Sequence, residues 1–186
     1  MLSYIKSRIS DVLSPITDFI AKMGIRPNHL TVIGFLFGVA SAYLIFRGDL
    51  MISAVFLILS GIMDVLDGAL ARNKGLITKF GGFLDSVLDR YVDIAVFIAL
   101  GFYVGWTLSL LALSGALMVS YTRARAEKEI ERCDVGIAER GERIAIIVFG
   151  LIFSDLLYYA VLTVAILSHI TAVHRIIHTY RIIRKG

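Results

Sequence analysis

The chain has 186 residues, of which 58% are hydrophobic and only 18% charged, and its mean hydropathy is +0.80. Soluble domains carry about 25% charged residues. The composition therefore excludes an ordinary soluble domain and predicts a single membrane-embedded domain over residues 1–186. The net charge of +4 would suit nucleic acid. Basic loops between apolar segments are instead typical of the cytoplasmic face of a membrane protein, so we expect no nucleic-acid partner.

Residues 1–25 predict an amphipathic juxtamembrane helix that lies at the surface of the lipid bilayer. Apolar residues recur there at spacings of three and four, and charged residues interrupt the continuous apolar segment that a signal peptide needs. The sequence Arg26-Pro27-Asn28 ends this helix. We expect the next helix to restart with Asn28 or Thr31 as its cap.

The rest of the chain predicts an all-α integral membrane protein, with six transmembrane helices in a bundle over residues 30–180. The predicted spans are residues 30–46, 50–71, 83–104, 108–123, 138–153 and 156–180. The apolar part of the fifth, residues 144–153, is shorter than the ~20 residues that cross a bilayer, so one helix over residues 144–168 is the alternative. Loop charge favours six spans, because an even number places the basic segments together on the cytoplasmic side.

Four aspartates at the end of the second predicted span and the start of the third are the most informative residues. Asp64 and Asp67 are three residues apart, and Asp85 and Asp89 are four apart, so each pair lies on one face of its helix. A short loop makes the two helices antiparallel neighbours. We therefore expect the carboxylates to meet near the cytoplasmic surface.

Clustered carboxylates in apolar helices remain ionised only where cations neutralise them. Their oxygens are hard ligands, which favour Mg²⁺, Mn²⁺ or Ca²⁺ over zinc. Four negative charges match two divalent ions, and such a pair of ions suits phosphoryl or pyrophosphate chemistry. Pairing with Arg72 or Arg90 is the alternative for one or two of the acids, but it does not explain all four in register.

From Asp64 to Asp89 the sequence follows the pattern D-x2-D-G-x2-A-R-x8-G-x3-D-x3-D. This pattern resembles the signature of the CDP-alcohol phosphotransferase family at every position, and residues 27–31 are also similar to members of that family. The resemblance implies an enzyme of phospholipid biosynthesis in the cell membrane. It would transfer a phosphatidyl-type group from a CDP-lipid to an alcohol, release CMP and act as a homodimer.

The same resemblance assigns roles to individual residues. Asp64, Asp67, Asp85 and Asp89 would bind two Mg²⁺ or Mn²⁺ ions, and Asp89 would also be the general base on the acceptor hydroxyl. The residues that would hold the CDP moiety are Asp64, Asp67, Gly68, Ala71, Arg72, Thr78, Gly81 and Asp85.

Arginines at three cytoplasmic helix ends indicate the acceptor. Arg123, Arg140, Arg143 and Arg175 are predicted to face the side that carries the acids, and guanidinium groups bind phosphate well. These segments resemble the phosphatidylinositol phosphate synthases and their archaeal relatives, whose acceptor is inositol 1-phosphate. By that resemblance Arg123, Arg140 or Arg143, and Arg175 would bind the acceptor phosphate. Contacts of these arginines with lipid headgroups or neighbouring glutamates are the alternative.

Two other functions stay open at this point. Glycerol 3-phosphate also carries a phosphate and is the second candidate acceptor. A divalent-cation transporter would need acids within the membrane too, although transporter sites usually lie near the bilayer midplane. Diacylglycerol and archaeol tails on the CDP-lipid fit the sequence equally well.

Overall fold

Residues 12–184 are described by the structure, a computed structural model. Within that range the regular structure is entirely helical. The seven helices are α1 Ser14–Lys22, α2 Pro27–Arg47, α3 Leu50–Asn73, α4 Lys79–Val104, α5 Trp106–Ala126, α6 Arg140–Ile152 and α7 Leu157–Ile183. Each of the predicted spans coincides with one helix from α2 to α7. The predicted juxtamembrane helix overlaps α1, and its part before residue 12 lies outside the described residues.

Proline and glycine set the ends of α2. Arg26 is the N-cap and Pro27 occupies the first turn. Proline suits that position because an amide hydrogen there would have no partner within the helix. The prediction that Asn28 or Thr31 caps this helix is therefore wrong. At its other end Gly48 adopts φ +93°, a left-handed conformation that favours glycine.

Among the described residues, three helical segments are long and apolar enough to cross a membrane: Pro27–Arg47, Leu50–Asn73 and Ser154–Ile183. The chain is thus a multi-pass membrane protein. Helix α6 has 13 residues, about 20 Å of helix, which is less than the ~30 Å hydrocarbon core. A break at residues 153–156 separates α6 from α7, so the alternative of one continuous helix over residues 144–168 is wrong.

Two glycines allow α2 to lie close to its neighbours. A Cβ atom at Gly34 would be 3.0 Å from the Cβ of Met63 on α3, and one at Gly38 would be 2.5 Å from Val92 on α4. Helix α5 packs against α4 and α7, and α6 contacts α3 and α7. The long helices therefore enclose one apolar core, and large side chains such as Phe102 remain exposed on the outside.

Helix α1 is attached to the connection between α3 and α4. The Asp18 carboxylate is 2.7 Å from the Lys74 ammonium. The buried hydroxyl of Thr17 accepts a hydrogen bond of 3.0 Å from the Asn73 amide. Thr78 then starts α4, because its Oγ1 accepts the Gly81 N–H at 3.0 Å. These contacts fix where α3 ends and α4 begins, which is where the aspartates lie.

Candidate active site

Three of the four predicted aspartates meet at the ends of two antiparallel helices, as their spacing predicted. Asp64, Asp67 and Asp85 each offer an oxygen, and these oxygens all lie within 4.8 Å of one another. Asp67 is buried, whereas Asp64 and Asp85 are half-buried. Three hard oxygen ligands at this spacing fit a divalent cation such as Mg²⁺ or Mn²⁺. Asp89 lies outside this group of three and has a different partner.

A threonine from α2 orients the most buried of these carboxylates. Thr31 donates a hydrogen bond of 2.7 Å from Oγ1 to Oδ2 of Asp67, and Thr31 is itself buried. A fixed carboxylate presents its other oxygen in one direction, which is how supporting residues orient the ligands of a metal. The sequence placed Thr31 in the segment that resembles the family, but it gave no sign of this contact, because the two residues are 36 positions apart.

Arg140 lies against the aspartates. Its Nη1 is 2.7 Å from Oδ1 of Asp89 and 3.4 Å from Oδ1 of Asp64. The guanidinium therefore neutralises part of the acidic charge from the start of α6. Its Nε is buried and has no hydrogen-bond partner among the residues that the structure describes. That atom retains a donor for a further oxygen.

Arg143 is engaged with an aspartate that the sequence did not single out. Its Nη2 is 2.9 Å from Oδ2 of Asp93, and the two side chains are only 4% and 10% exposed. Arg143 also donates from Nη1 to the carbonyl oxygen of Ala138 at 2.9 Å. Asp93 follows Asp89 by four residues and so continues the same helix face. That periodicity was the signal that could have identified Asp93.

Arg175, although charged, is among the most completely buried side chains. It donates from Nε to the carbonyl oxygen of Val135 at 2.8 Å and from Nη1 to that of Val119 at 2.6 Å. Its Nη2 is 3.5 Å from Oε1 of Glu139. Arg175 thus connects α7 to α5 and to the segment that leads into α6.

Arg123, on the last turn of α5, is the most exposed of the predicted arginines and pairs with three acids. Its Nη2 is 2.7 Å from Oδ1 of Asp134, its Nε is 2.9 Å from Oε1 of Glu127, and its Nη1 is 3.7 Å from Oε1 of Glu139. The pairing with neighbouring acids that was the alternative to phosphate binding is therefore present in the structure.

One cleft of about 1110 Å³ contains most of these groups. All of the predicted aspartates and arginines line it, together with Gly68, Arg72 and Arg90. Ala71, Thr78 and Gly81, which the resemblance assigned to CDP binding, are not among its lining residues. The cleft is lined by both acids and arginines, and its volume suits a ligand of substrate size.

Comparisons with known proteins agree with this geometry. A sequence model of the family described as CDP-alcohol phosphatidyltransferase matches residues 24–179. The archaetidylinositol phosphate synthase of Pyrococcus horikoshii is 41% identical over 189 residues, which cover 100% of both chains.

Two solved structures of a bacterial protein have a similar fold. The Mycobacterium tuberculosis phosphatidylinositol phosphate synthase with CDP-DAG bound has a TM-score of 0.81 and 32% identity, covering 91% of this chain and 94% of that one. Its complex with manganese and citrate has a TM-score of 0.80 and 32% identity, covering 89% and 88%.

Proposed function

Because the chain belongs to the CDP-alcohol phosphatidyltransferase family, we propose that it transfers the lipid phosphate group of a CDP-lipid to inositol 1-phosphate and releases CMP. One observation carries the proposal. A carboxylate cluster that fits a divalent ion and a set of arginines that suits a phosphate line the same cleft. The names of the relatives, which are synthases of inositol phosphate lipids, support this acceptor.

The donor half of the cleft is formed by α3 and the start of α4. Asp64, Asp67 and Asp85 would hold two divalent ions together with Asp89. When bound, these ions stabilise the negative charge that develops on the pyrophosphate of the CDP-lipid. A manganese complex of a relative supports this choice of metal. Thr31 keeps Asp67 in a fixed orientation.

The CDP moiety would lie beside Gly68 and Arg72. A Cβ atom at Gly68 would be 3.1 Å from Nη1 of Arg72, so glycine leaves room for that guanidinium and a ligand beside the backbone. The proposed CDP contacts of Ala71, Thr78 and Gly81 rest on the family resemblance alone, because these residues lie outside the cleft lining.

The acceptor half is formed by the ends of α5, α6 and α7. Arg123, Arg140 and Arg175 would bind the phosphate of the acceptor. Asp89 would accept the proton of its hydroxyl group, whose oxygen forms a bond to the lipid-side phosphorus as the bond to the CMP oxygen breaks. Asp89 can act in this way only after Arg140, now 2.7 Å away, has moved its charge towards the acceptor phosphate.

We further propose that α2 to α7 all cross the membrane, α6 together with the turn at residues 153–156 that follows it, with the cleft on the cytoplasmic side. Arg72, Arg123, Arg140 and Arg175 all line one cleft, so the basic segments that contain them lie at one end of the bundle. That arrangement agrees with the positive-inside rule. A homodimer is the assembly that we expect from the family resemblance, and mass measurement in detergent tests it.

The test is an acceptor panel with the purified protein in detergent and Mn²⁺. Each reaction contains CDP-archaeol or CDP-diacylglycerol and one acceptor: inositol 1-phosphate, glycerol 3-phosphate, serine or free inositol. We expect CMP release with inositol 1-phosphate and little with free inositol, which lacks the phosphate that the arginines would bind. Release with serine but not with inositol 1-phosphate would overturn the choice of acceptor. Metal flux in vesicles without any CMP release would indicate a transporter instead.

A further inference from the structure

A second buried ion pair lies one helical turn beyond the contact between Asp89 and Arg140. Asp93 and Arg143 are 2.9 Å apart, and at most a tenth of either side chain is exposed. Asp93 lies outside the signature that ends at Asp89, and the reaction proposed above needs neither member of the pair. A buried ion pair that the proposed reaction does not use calls for another role.

The two ion pairs are successive connections between the same two helices. Asp89 and Asp93 are four residues apart on α4, and Arg140 and Arg143 are three apart in the first turn of α6. These spacings place each pair of residues on one helix face. The two contacts, of 2.7 Å and 2.9 Å, therefore fix both the rotation and the depth of α6 relative to α4.

The two ion pairs differ in whether they must separate during the proposed reaction. Asp89 and Arg140 must separate if one is to accept a proton and the other is to bind a phosphate. Arg143 has no such task, and besides its contact with Asp93 it donates to the carbonyl oxygen of Ala138. The N–H of Ala138 in turn donates to Oγ1 of Thr171 on α7 at 3.2 Å. The contact of Asp93 with Arg143 can thus persist while Arg140 moves.

Stability of the fold alone does not account for this pair. Replacing a buried ion pair by apolar residues of similar volume is often neutral or stabilising, because the charges lose their hydration. What an ion pair adds over apolar packing is direction, since both its partners have defined donor and acceptor positions. A directional contact in the first turn of α6 determines where Arg140 points.

We propose that Asp93 is a positioning residue for the acceptor phosphate. Through Arg143 it holds the start of α6 so that Arg140 reaches the acceptor, and Arg143 serves this purpose rather than binding the phosphate itself. The inference rests on the proposed function, because it takes inositol 1-phosphate as the acceptor. It separates the two substrates, since among the described residues Asp93 and Arg143 contact each other and the backbone of Ala138 rather than the donor residues Asp64 and Asp67.

The experiment measures the KM of each substrate for Asp93→Asn, a change that keeps the shape of the side chain and removes its charge. We expect the KM for inositol 1-phosphate to rise about 10-fold or more, because small displacements of a binding group have large effects. The KM for the CDP-lipid should change less than about twofold. Asp93→Glu, which keeps the charge, should recover part of the loss. Equal changes for both substrates, or no change for either, would overturn the proposal.

Two further variants serve as a replacement and a control in this experiment. The double variant Asp93→Asn, Arg143→Gln leaves no unpaired buried charge. If the single variant fails to fold, the two KM values are therefore measured on the double variant instead. It should show the same selective rise in acceptor KM. Glu129→Gln is the matched control, because Glu129 forms an exposed ion pair with Arg125 at the same end of the bundle. This control should leave both KM values unchanged.

Different results would contradict the proposed function and the positioning role of Asp93. No CMP release by the unmodified protein with inositol 1-phosphate would overturn the function. The same comparison of KM values is then made with whichever phosphorylated acceptor the protein uses. A thermal-shift titration with inositol 1-phosphate gives acceptor affinity without turnover. An equal shift for the unmodified protein and Asp93→Asn would contradict the positioning role.

Discussion

The two halves of the cleft are built in different ways. The donor half consists of aspartates at local spacings on two helices joined by a short loop, α3 and α4, and one threonine from α2 supports it. The acceptor half brings together the ends of α5, α6 and α7, and its Arg140 and Arg175 contact residues far away in the sequence. The comparison teaches that the proposed metal site is specified by local periodicity, whereas the proposed acceptor site depends on the whole bundle.

The largest expected effect is at the residue where the halves meet. Asp89→Asn should lower the rate of CMP release by about 10²–10⁴-fold, the usual contribution of a general base, and the loss of a metal ligand would add to this. The matched control is Asp155→Asn, in the exposed turn between α6 and α7. A variant at Asp89 that keeps full turnover would show that Asp89 is not the base.

The donor half alone should respond to Asp67→Asn. We expect the affinity for Mn²⁺ to fall at least ~100-fold, because the cluster loses a charged ligand. Thr31→Val, which removes only the supporting hydroxyl, should reduce it by about 10–100-fold. Thr31→Ser keeps that hydroxyl and is the control. Titration of Mn²⁺ followed by electron paramagnetic resonance measures both, and an unchanged affinity in Thr31→Val would contradict the role of this hydrogen bond.

The sequence predicts the donor half of the cleft better than the acceptor half. The helix pattern and the meeting of three of the four aspartates follow from spacings of three and four residues, which the structure retains. Thr31 was not recognised as a site residue, because its hydrogen bond to Asp67 spans 36 positions. For Arg140 and Arg143 the sequence left open which one faces the site. Their separate partners, Asp89 and Asp93, depend on how close the first turn of α6 comes to α4 in the folded bundle.

The segment before α6 explains why the ends of the helices were harder to predict. Residues 127–139 have no regular helix of their own in the structure, and Arg175 and Thr171 on α7 hold this segment by its backbone. Such contacts leave no periodic pattern in the sequence. The predicted start of the fifth span at residue 138 therefore differs from the observed start of α6 at Arg140.

Substitution of Arg140 should strengthen metal binding in the donor half and weaken acceptor binding in the acceptor half. Its guanidinium and a divalent ion compete for oxygens of Asp89 and Asp64. Arg140→Gln should therefore raise the Mn²⁺ affinity of the substrate-free protein by roughly 3–10-fold, equivalent to about 1 kcal/mol, while it raises the acceptor KM. Calorimetric titration with Mn²⁺ measures the first effect. A Mn²⁺ affinity that falls or stays the same would contradict the competition.

The smallest expected difference between donor and acceptor binding comes from a packing residue outside the cleft. Gly38→Ala places a Cβ 2.5 Å from Val92, and it should lower stability by about 1–3 kcal/mol without favouring either substrate. Gly61→Ala is the matched control, because nothing lies within 4 Å of its Cβ position. Thermal unfolding in detergent measures both. A selective change in one KM for Gly38→Ala would show that packing and substrate binding are not separable here.

The most direct test of the division between the halves measures two ligands on two variants. Mn²⁺ and inositol 1-phosphate affinities are determined for Asp67→Asn and for Arg123→Gln, with Arg123→Lys as the charge-keeping control. We predict that Asp67→Asn loses Mn²⁺ and keeps the acceptor. Arg123→Gln should keep Mn²⁺ and weaken the acceptor about 10–100-fold, since a hydrogen bond to a charged group contributes about 1.5–3 kcal/mol. Loss of both ligands in both variants would contradict the account.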